Sequence, residues 1–199
     1  MRICHIIADL QAAPAAESAL AVCEELARRK HDVILIAGPE GELWDRARAG
    51  GYRRFRIPSL QLALSLRQDV WSRILLDRLL RQLKPEIMHT HATKAGLVGR
   101  WAASRVPGTH LVHTVHELSF HERRKPWTRW FLRRMERRLG RRTGALIAAT
   151  EAIAERLAAA GAARREQLRI IPAGGDEIRS RVDRLEALYA ELAGQESVS

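Results

Sequence analysis

Four histidines pose the chemical question. His89 and His91 stand in "HTH", His113 and His116 in "HTVH", and each group closes an apolar run that reads as a strand. Close by follow Thr90, Thr93, Lys94, Ser119 and His121. Imidazole, ammonium and hydroxyl groups gathered at strand ends make a polar cleft. A metal centre would also use such clusters. Against one, alternate residues of a strand share a face whereas His113 and His116 do not, and no carboxylate stands at ligand spacing. Any single one of these histidines is as well suited to a hydrogen-bonded packing role. The expectation is a polar cleft with no metal and no other cofactor.

A second cluster is made of charge. The chain carries a net +11, and the stretch from Glu122 to Arg142 holds ten Lys or Arg against two Glu. Trp127, Trp130, Phe131 and Leu132 supply bulky apolar anchors there, surrounded by Arg123, Arg124, Lys125, Arg133, Arg134, Arg137 and Arg138. That pattern suits an anionic membrane surface. A solvated helix face and a nucleic-acid contact remain open beside it, although no nucleic-acid-binding motif accompanies the patch.

Alternating strand and helix patterns must position these groups. "RICHIIA", "HDVILIAG", "RRFRIP", "PEIMHTH", "THLVHTVH", "GALIAA" and "LRIIP" read as strands. Between them, "AAESALAVCEELARRK", "ELWDRARAGG", "DVWSRILLDRLLRQLK", "TKAGLVGRWAASR", the basic stretch and "TEAIAERLAAAG" read as helices. Such crossovers predict a doubly wound α/β fold, a parallel sheet covered on both faces. Ligands then bind beyond the carboxyl ends of the strands, just after Ala8, His89, Val115 and Pro172. The loop "ADLQAAPAAESAL" after the first strand has no glycine, so it is not a dinucleotide fingerprint. Pro14 suits the first turn of a helix, whose free N–H groups could still attract an anion. No apolar run approaches the roughly 20 residues that span a bilayer. The N-terminus does not read as a signal peptide, which places the chain in the cytoplasm. Cys4 and Cys23 read as reduced packing residues.

"MRICHIIADL", "LLRQLKPEIMHTHATKAGLVGRWAA", "HTVHELSFHE" and "LIAATEAIAERL" together resemble the N-terminal domain of GT-B glycosyltransferases of the family-four kind. The closest likeness is to bacterial enzymes that extend polyprenol-linked sugars at the inner face of the membrane. The resemblance implies a Rossmann-like half over residues 1–175 that carries the acceptor site, while another half holds the nucleotide-sugar. It implies a reaction that retains anomeric configuration. It places His116 in the cleft facing the donor sugar as the catalytic candidate, with His91, Thr93 and Lys94 near the acceptor and Ser119 and His121 continuing that wall. The implied partners are a lipid-linked sugar acceptor, an anionic membrane surface and a separate donor-domain subunit that would bring the nucleotide-sugar.

Three departures from the family pattern stand out. Pro14, Ala15, Ala16 and Glu17 replace Gly-Gly-Ala-Glu, which impairs close backbone approach to phosphate. His116 is followed by Glu117 instead of Gly. Finally, "IIPAGGD" runs straight into "EIRSRVDRLEALYAEL", which resembles the helix that crosses back onto the N-terminal half. Residues 176–199 are therefore expected to pack on the same domain through Ile178, Val182, Leu185, Leu188 and Leu192, with the donor domain and its Glu-x7-Glu motif missing. Glu17 and Glu25 share that spacing but fall on the first helix, where they are expected to form a solvated face.

Overall fold

Strands buried on both faces need apolar residues at nearly every position, and the runs "RICHII", "DVILIA", "HLVHTV" and "ALIA" are buried that way, whereas the edge run "RRFR" is mostly exposed. A computed structural model describes residues 1–63, 65–121, 124–172 and 177–194. The order is β1 (Arg2–Ile7), α1 (Pro14–Arg28), β2 (Asp32–Ala37), α2 (Trp44–Ala49), β3 (Arg53–Arg56), α3 (Leu66–Leu83) and β4 (Ile87–His91). Then come α4 (Ala92–Ala103), β5 (His110–Val115), α5 (Pro126–Gly140), β6 (Ala145–Ala148), α6 (Glu151–Ala159), β7 (Leu168–Ile170) and α7 (Ile178–Gly194). The seven strands form one parallel sheet in the order β3-β2-β1-β4-β5-β6-β7. The doubly wound α/β architecture expected from the sequence is present. The junction expected at 175 and 176 lies outside the described residues.

The chain first winds outward from β1 to β3, then α3 carries it back to β4 on the far side of β1. Reversing direction with right-handed crossovers puts the helices on opposite faces. Ile3 and Ile7 of β1 accordingly pack with α1, α2 and α7, while Cys4 and Ile6 pack with α3 and α4. A third apolar cluster joins α4, α5 and α6 through Leu97, Leu132, Leu139 and Leu157. Gly96 lets α4 lie close to the sheet, because a Cβ there would stand 2.3 Å from the His113 ring. Between α4 and α5, Arg100 is fully buried and donates to Glu136 Oε2 at 2.6 Å.

The α1 face is closed by α7. Val182, Leu185, Leu188, Tyr189 and Leu192 are all buried in the cluster that holds Leu20, Cys23 and Leu26 of α1, and Ile178 packs at its margin. Charge reinforces the seam: Arg29 Nη1 donates to Asp183 at 2.6 Å and also to Glu186, and His31 Nε2 lies 2.6 Å from Glu186. Glu17 is exposed as expected of a solvated face, but Glu25 is not. Its carboxylate is buried and accepts from Arg28 and Arg29, whose hydrogen bonds hold its pKa down at about 2. Replacing Leu185 with Ala is expected to cost roughly 2 to 5 kcal/mol, read as a drop in urea midpoint at unchanged slope. An unchanged midpoint would mean that α7 does not hold this face closed.

Candidate functional site

Strand alternation decides which histidines meet. His5 of β1 and His89 of β4 are register partners, and His91 lies two residues on along the same face. Their rings gather under α7: His91 stacks on both His5 and His89, with centroids 5.2 and 4.3 Å apart, while His5 and His89 are tilted to each other by 41°. His5 Nδ1 lies 2.9 Å from His91 Nε2. His89 Nδ1 shares a 2.6 Å hydrogen bond with the Tyr189 hydroxyl and its Nε2 a 2.7 Å bond with Thr114 Oγ1. Burial lowers all three pKa values, that of His5 to about 3, so the rings are neutral near pH 7.

One donor nitrogen from each of these rings lies within 4.8 Å of the others, close enough to surround one ion. The chemistry of the set argues against that use. Both His89 nitrogens are already hydrogen-bonded, no carboxylate belongs to the group, and a divalent charge would sit in the apolar core. The geometry moves the metal question from the strand-end histidines of two strands to a set that includes His5. Only the strand register could have pointed there.

A crevice opens where β4, β5, β6 and β7 end. It is lined by His91, Thr114, His116, Pro172, Ser18 of α1 and Arg181 of α7, and its volume is about 20 Å³, room for a single water. His116 is half-buried, and its Nε2 is buried with no hydrogen-bond partner among the described residues. Burial, and then the positive charge of Arg181, hold its pKa below the ordinary histidine range. Arg181 donates to Ser18 Oγ at 2.9 Å, which ties α7 to the second turn of α1. No feature of the sequence marked Arg181, because its neighbours on α7 read simply as the charged face of a helix.

The other expected residues do not form one wall with His91 and His116. Lys94 is buried on the α3 side, where it donates to the Ala63 carbonyl at 2.6 Å and pairs with Asp69. Ser119 is turned into the α4–α5 seam and donates to Glu136 Oε1 at 3.0 Å. Thr93 and His121 are half-buried outside the crevice. His113 faces α4, with its Nδ1 2.9 Å from Thr90 Oγ1. Pro14 is exposed in the first turn of α1 and Ala15 is half-buried there, and the preceding Ala13 provides no side-chain cap.

The basic helix is exposed along its outer face. Trp127 and Trp130 are 70% and 66% exposed, and Lys125, Arg133, Arg134, Arg137 and Arg138 also face outward. Trp130 and the arginines at 133, 134, 137, 138 and 141 line a groove of about 340 Å³. Arg137 Nε donates to the Ala160 carbonyl at 2.6 Å, which fixes one edge of that groove. Arg124 is half-buried, and Arg123 lies outside the described residues. No helix is long and apolar enough to cross a membrane among the described residues.

Comparison with known proteins adds three kinds of likeness. A family model described as Glycosyltransferase Family 4 matches residues 15–179. Over 97 residues the chain is 38% identical to the UDP-Gal:alpha-D-GlcNAc-diphosphoundecaprenol alpha-1,3-galactosyltransferase of Escherichia coli, a match covering 49% of this chain and 25% of that enzyme. Anabaena HepE in complex with UDP and glucose aligns over 88% of this chain and 45% of its own, with TM-score 0.69 and 16% identity. A sucrose-phosphate synthase chain from Thermosynechococcus elongatus, comprising 27–220 and 406–426, aligns over 96% of this chain and 99% of its own, with TM-score 0.70 and 14% identity. At such identities the two structures speak for the fold alone. The chain spans about a quarter of the galactosyltransferase and under half of HepE.

Proposed function

This chain belongs to glycosyltransferase family 4, and we propose that it supplies the acceptor-binding half of a retaining glycosyltransferase acting on a polyprenol-linked or similar membrane sugar acceptor. The observation that carries the reading is His116. A neutral imidazole at the carboxyl edge of a parallel sheet, with its buried Nε2 unpartnered, is prepared to hydrogen-bond a sugar hydroxyl in a water-poor site. Arg181 places a positive charge beside it, where a leaving diphosphate would need one. The E. coli relative acts on a diphosphoundecaprenol-linked sugar, which supports the acceptor class. In this reading His91 borders the acceptor approach beside His116, while Thr93 and His121 lie outside the crevice and Lys94 and Ser119 hold the flanking helices through Asp69 and Glu136. The nucleotide-sugar is held by a second unit, and the protein works at the cytoplasmic face of the inner membrane with α5 against anionic lipid.

A second reading, a non-catalytic membrane-surface binding or scaffold module, is favoured by one observation. The crevice beside His116 holds about 20 Å³ and is closed by α7, while the adjacent Glu117 is exposed and adds negative charge. One set of measurements separates the two. The 199-residue chain is expected to transfer no sugar from nucleotide-sugars when assayed alone. It is expected to bind a polyprenol-diphosphate sugar by calorimetry, about tenfold more weakly after His116→Ala, the loss of one well-placed hydrogen bond. Turnover that survives repurification and disappears in His116→Ala would refute the half-enzyme. Absence of acceptor binding would favour the scaffold module.

A further inference from the structure

Large apolar side chains left in water cluster in one layer of this molecule. Seven are exposed among the described residues, and six of them, Leu62, Leu66, Trp71, Trp127, Trp130 and Phe131, stand at the starts of α3 and α5. The two helices lie on the same face of the sheet, each packed on α4. Four of the five tryptophans belong to this layer, the fourth being Trp101 of α4 beneath the guanidinium of Arg73 at 5.0 Å. Scattered exposed apolar residues need no explanation, but a concentration of this kind marks an interaction surface.

Position within the helices sharpens the point. Leu66 and Trp71 fall in the first six residues of α3, and Trp127, Trp130 and Phe131 in the first six of α5. Six residues span about 9 Å, and helices that connect parallel strands begin at the carboxyl edge of the sheet. All these groups therefore sit near one rim, the rim that holds His116. Lys94 ties both Ala63 and, in the first turn of α3, Asp69 to α4. Arg67 and Arg78 are exposed on α3 as well, so its outer face repeats the tryptophan and arginine composition of α5.

We propose that the start of α3, through Leu62, Leu66 and Trp71, is a second membrane-inserting point that acts together with α5 to seat the carboxyl rim of the sheet on an anionic bilayer. The inference rests on the reading that α5 meets such a surface. Tryptophan with interleaved arginine is the composition that headgroup regions favour, and a single insertion point binds weakly and reversibly. Two points separated by α4 fix the orientation of the sheet. They present the rim beside His116 to whatever projects from the headgroups.

Co-sedimentation with phosphatidylcholine vesicles, with and without phosphatidylglycerol, tests this. The wild-type chain is expected to bind the anionic vesicles, and Leu62→Ser, Leu66→Ser and Trp71→Ser combined to weaken binding about tenfold, as loss of one of two anchors should. The urea midpoint should fall only slightly, because Leu62, Leu66 and Trp71 are already 61%, 80% and 55% exposed. In a Trp127→Phe/Trp130→Phe background, lipids brominated on the acyl chains are expected to quench fluorescence, and adding Trp71→Phe should remove that quenching. Wild-type binding that the triple variant leaves intact, without quenching at Trp71, overturns the α3 anchor while α5 stands. Failure of the wild type to bind overturns both. Loss of concentration-dependent self-association in the triple variant, with vesicle binding unchanged, would make the patch a contact between copies.

Discussion

Below pH 6.5 the protein is expected to lose stability steeply, by up to about 1.4 kcal/mol per pH unit for each of four buried histidines. His5, His89, His91 and His113 are 0%, 1%, 4% and 2% exposed, and burial lowers the pKa of each from the ordinary 6.5. The folded state keeps them neutral, while the unfolded chain takes up protons near 6.5. Stability is therefore complete above that value and falls as the unfolded state gains protons, continuing for His5 to about pH 3. Since domains are stable by only about 5 to 15 kcal/mol, four such groups can exhaust the margin within about one to three pH units. Glu25 acts in the same direction but later, between its ordinary 4.5 and about 2, so its loss begins at lower pH and overlaps only the lower part of the His5 window. Urea titrations at successive pH values with far-ultraviolet circular dichroism would show the midpoint collapsing between pH 6.5 and 4. A midpoint that stays flat down to pH 5 would mean that the rings accept protons in place.

Arg100→Leu is expected to destabilise the protein by about 3 to 5 kcal/mol. The cost arises from Glu136, which is 4% exposed and would keep only the Ser119 hydroxyl as a donor once the guanidinium is gone. Arg100 itself is not ideally housed. Its Nε donates to the Gly96 carbonyl at 2.8 Å, but its Nη1 has no partner among the described residues. Replacing both partners, as Arg100→Met with Glu136→Leu, should recover most of the loss, because neither charge is then left without the other. Chemical denaturation of the two single variants and the double variant measures the coupling directly. Additive losses would show that the pair does not hold α4 to α5.

Alternation of apolar runs carried the fold, since strands flanked by helices of crossover length admit few arrangements, and the doubly wound sheet followed from Cys4, Val33, Met88 and Leu111 in their runs. The histidine cluster was legible only in part. His89, His91 and His116 stand out at strand ends, whereas His5 sits in mid-strand and acquires its partners through the β1–β4 pairing, which brings it to His91, 86 residues away. Lys94 and Ser119 carried the right chemistry for a cleft but were turned away by Asp69 and Glu136. Both acids lie on neighbouring helices, and helix rotation is set by packing that a linear pattern does not encode. Tyr189 is a further case: a polar-tipped residue in an amphipathic stripe gives no sign that it closes over a histidine.

Ribosomal synthesis has to contend with the seam between α1 and α7. Arg29 and Asp183 are separated by 154 residues, and the apolar strip of α1 that α7 covers emerges far ahead of its cover. At about 5 to 20 residues per second, α1 waits roughly 8 to 30 seconds for α7. During that interval the nascent chain can finish β1, β2, β4 and the α3–α4 layer, but it leaves Cys23, Leu26 and the buried histidine face in water. A helix that is ordinary in the finished fold thereby decides when the apolar strip of α1 leaves water.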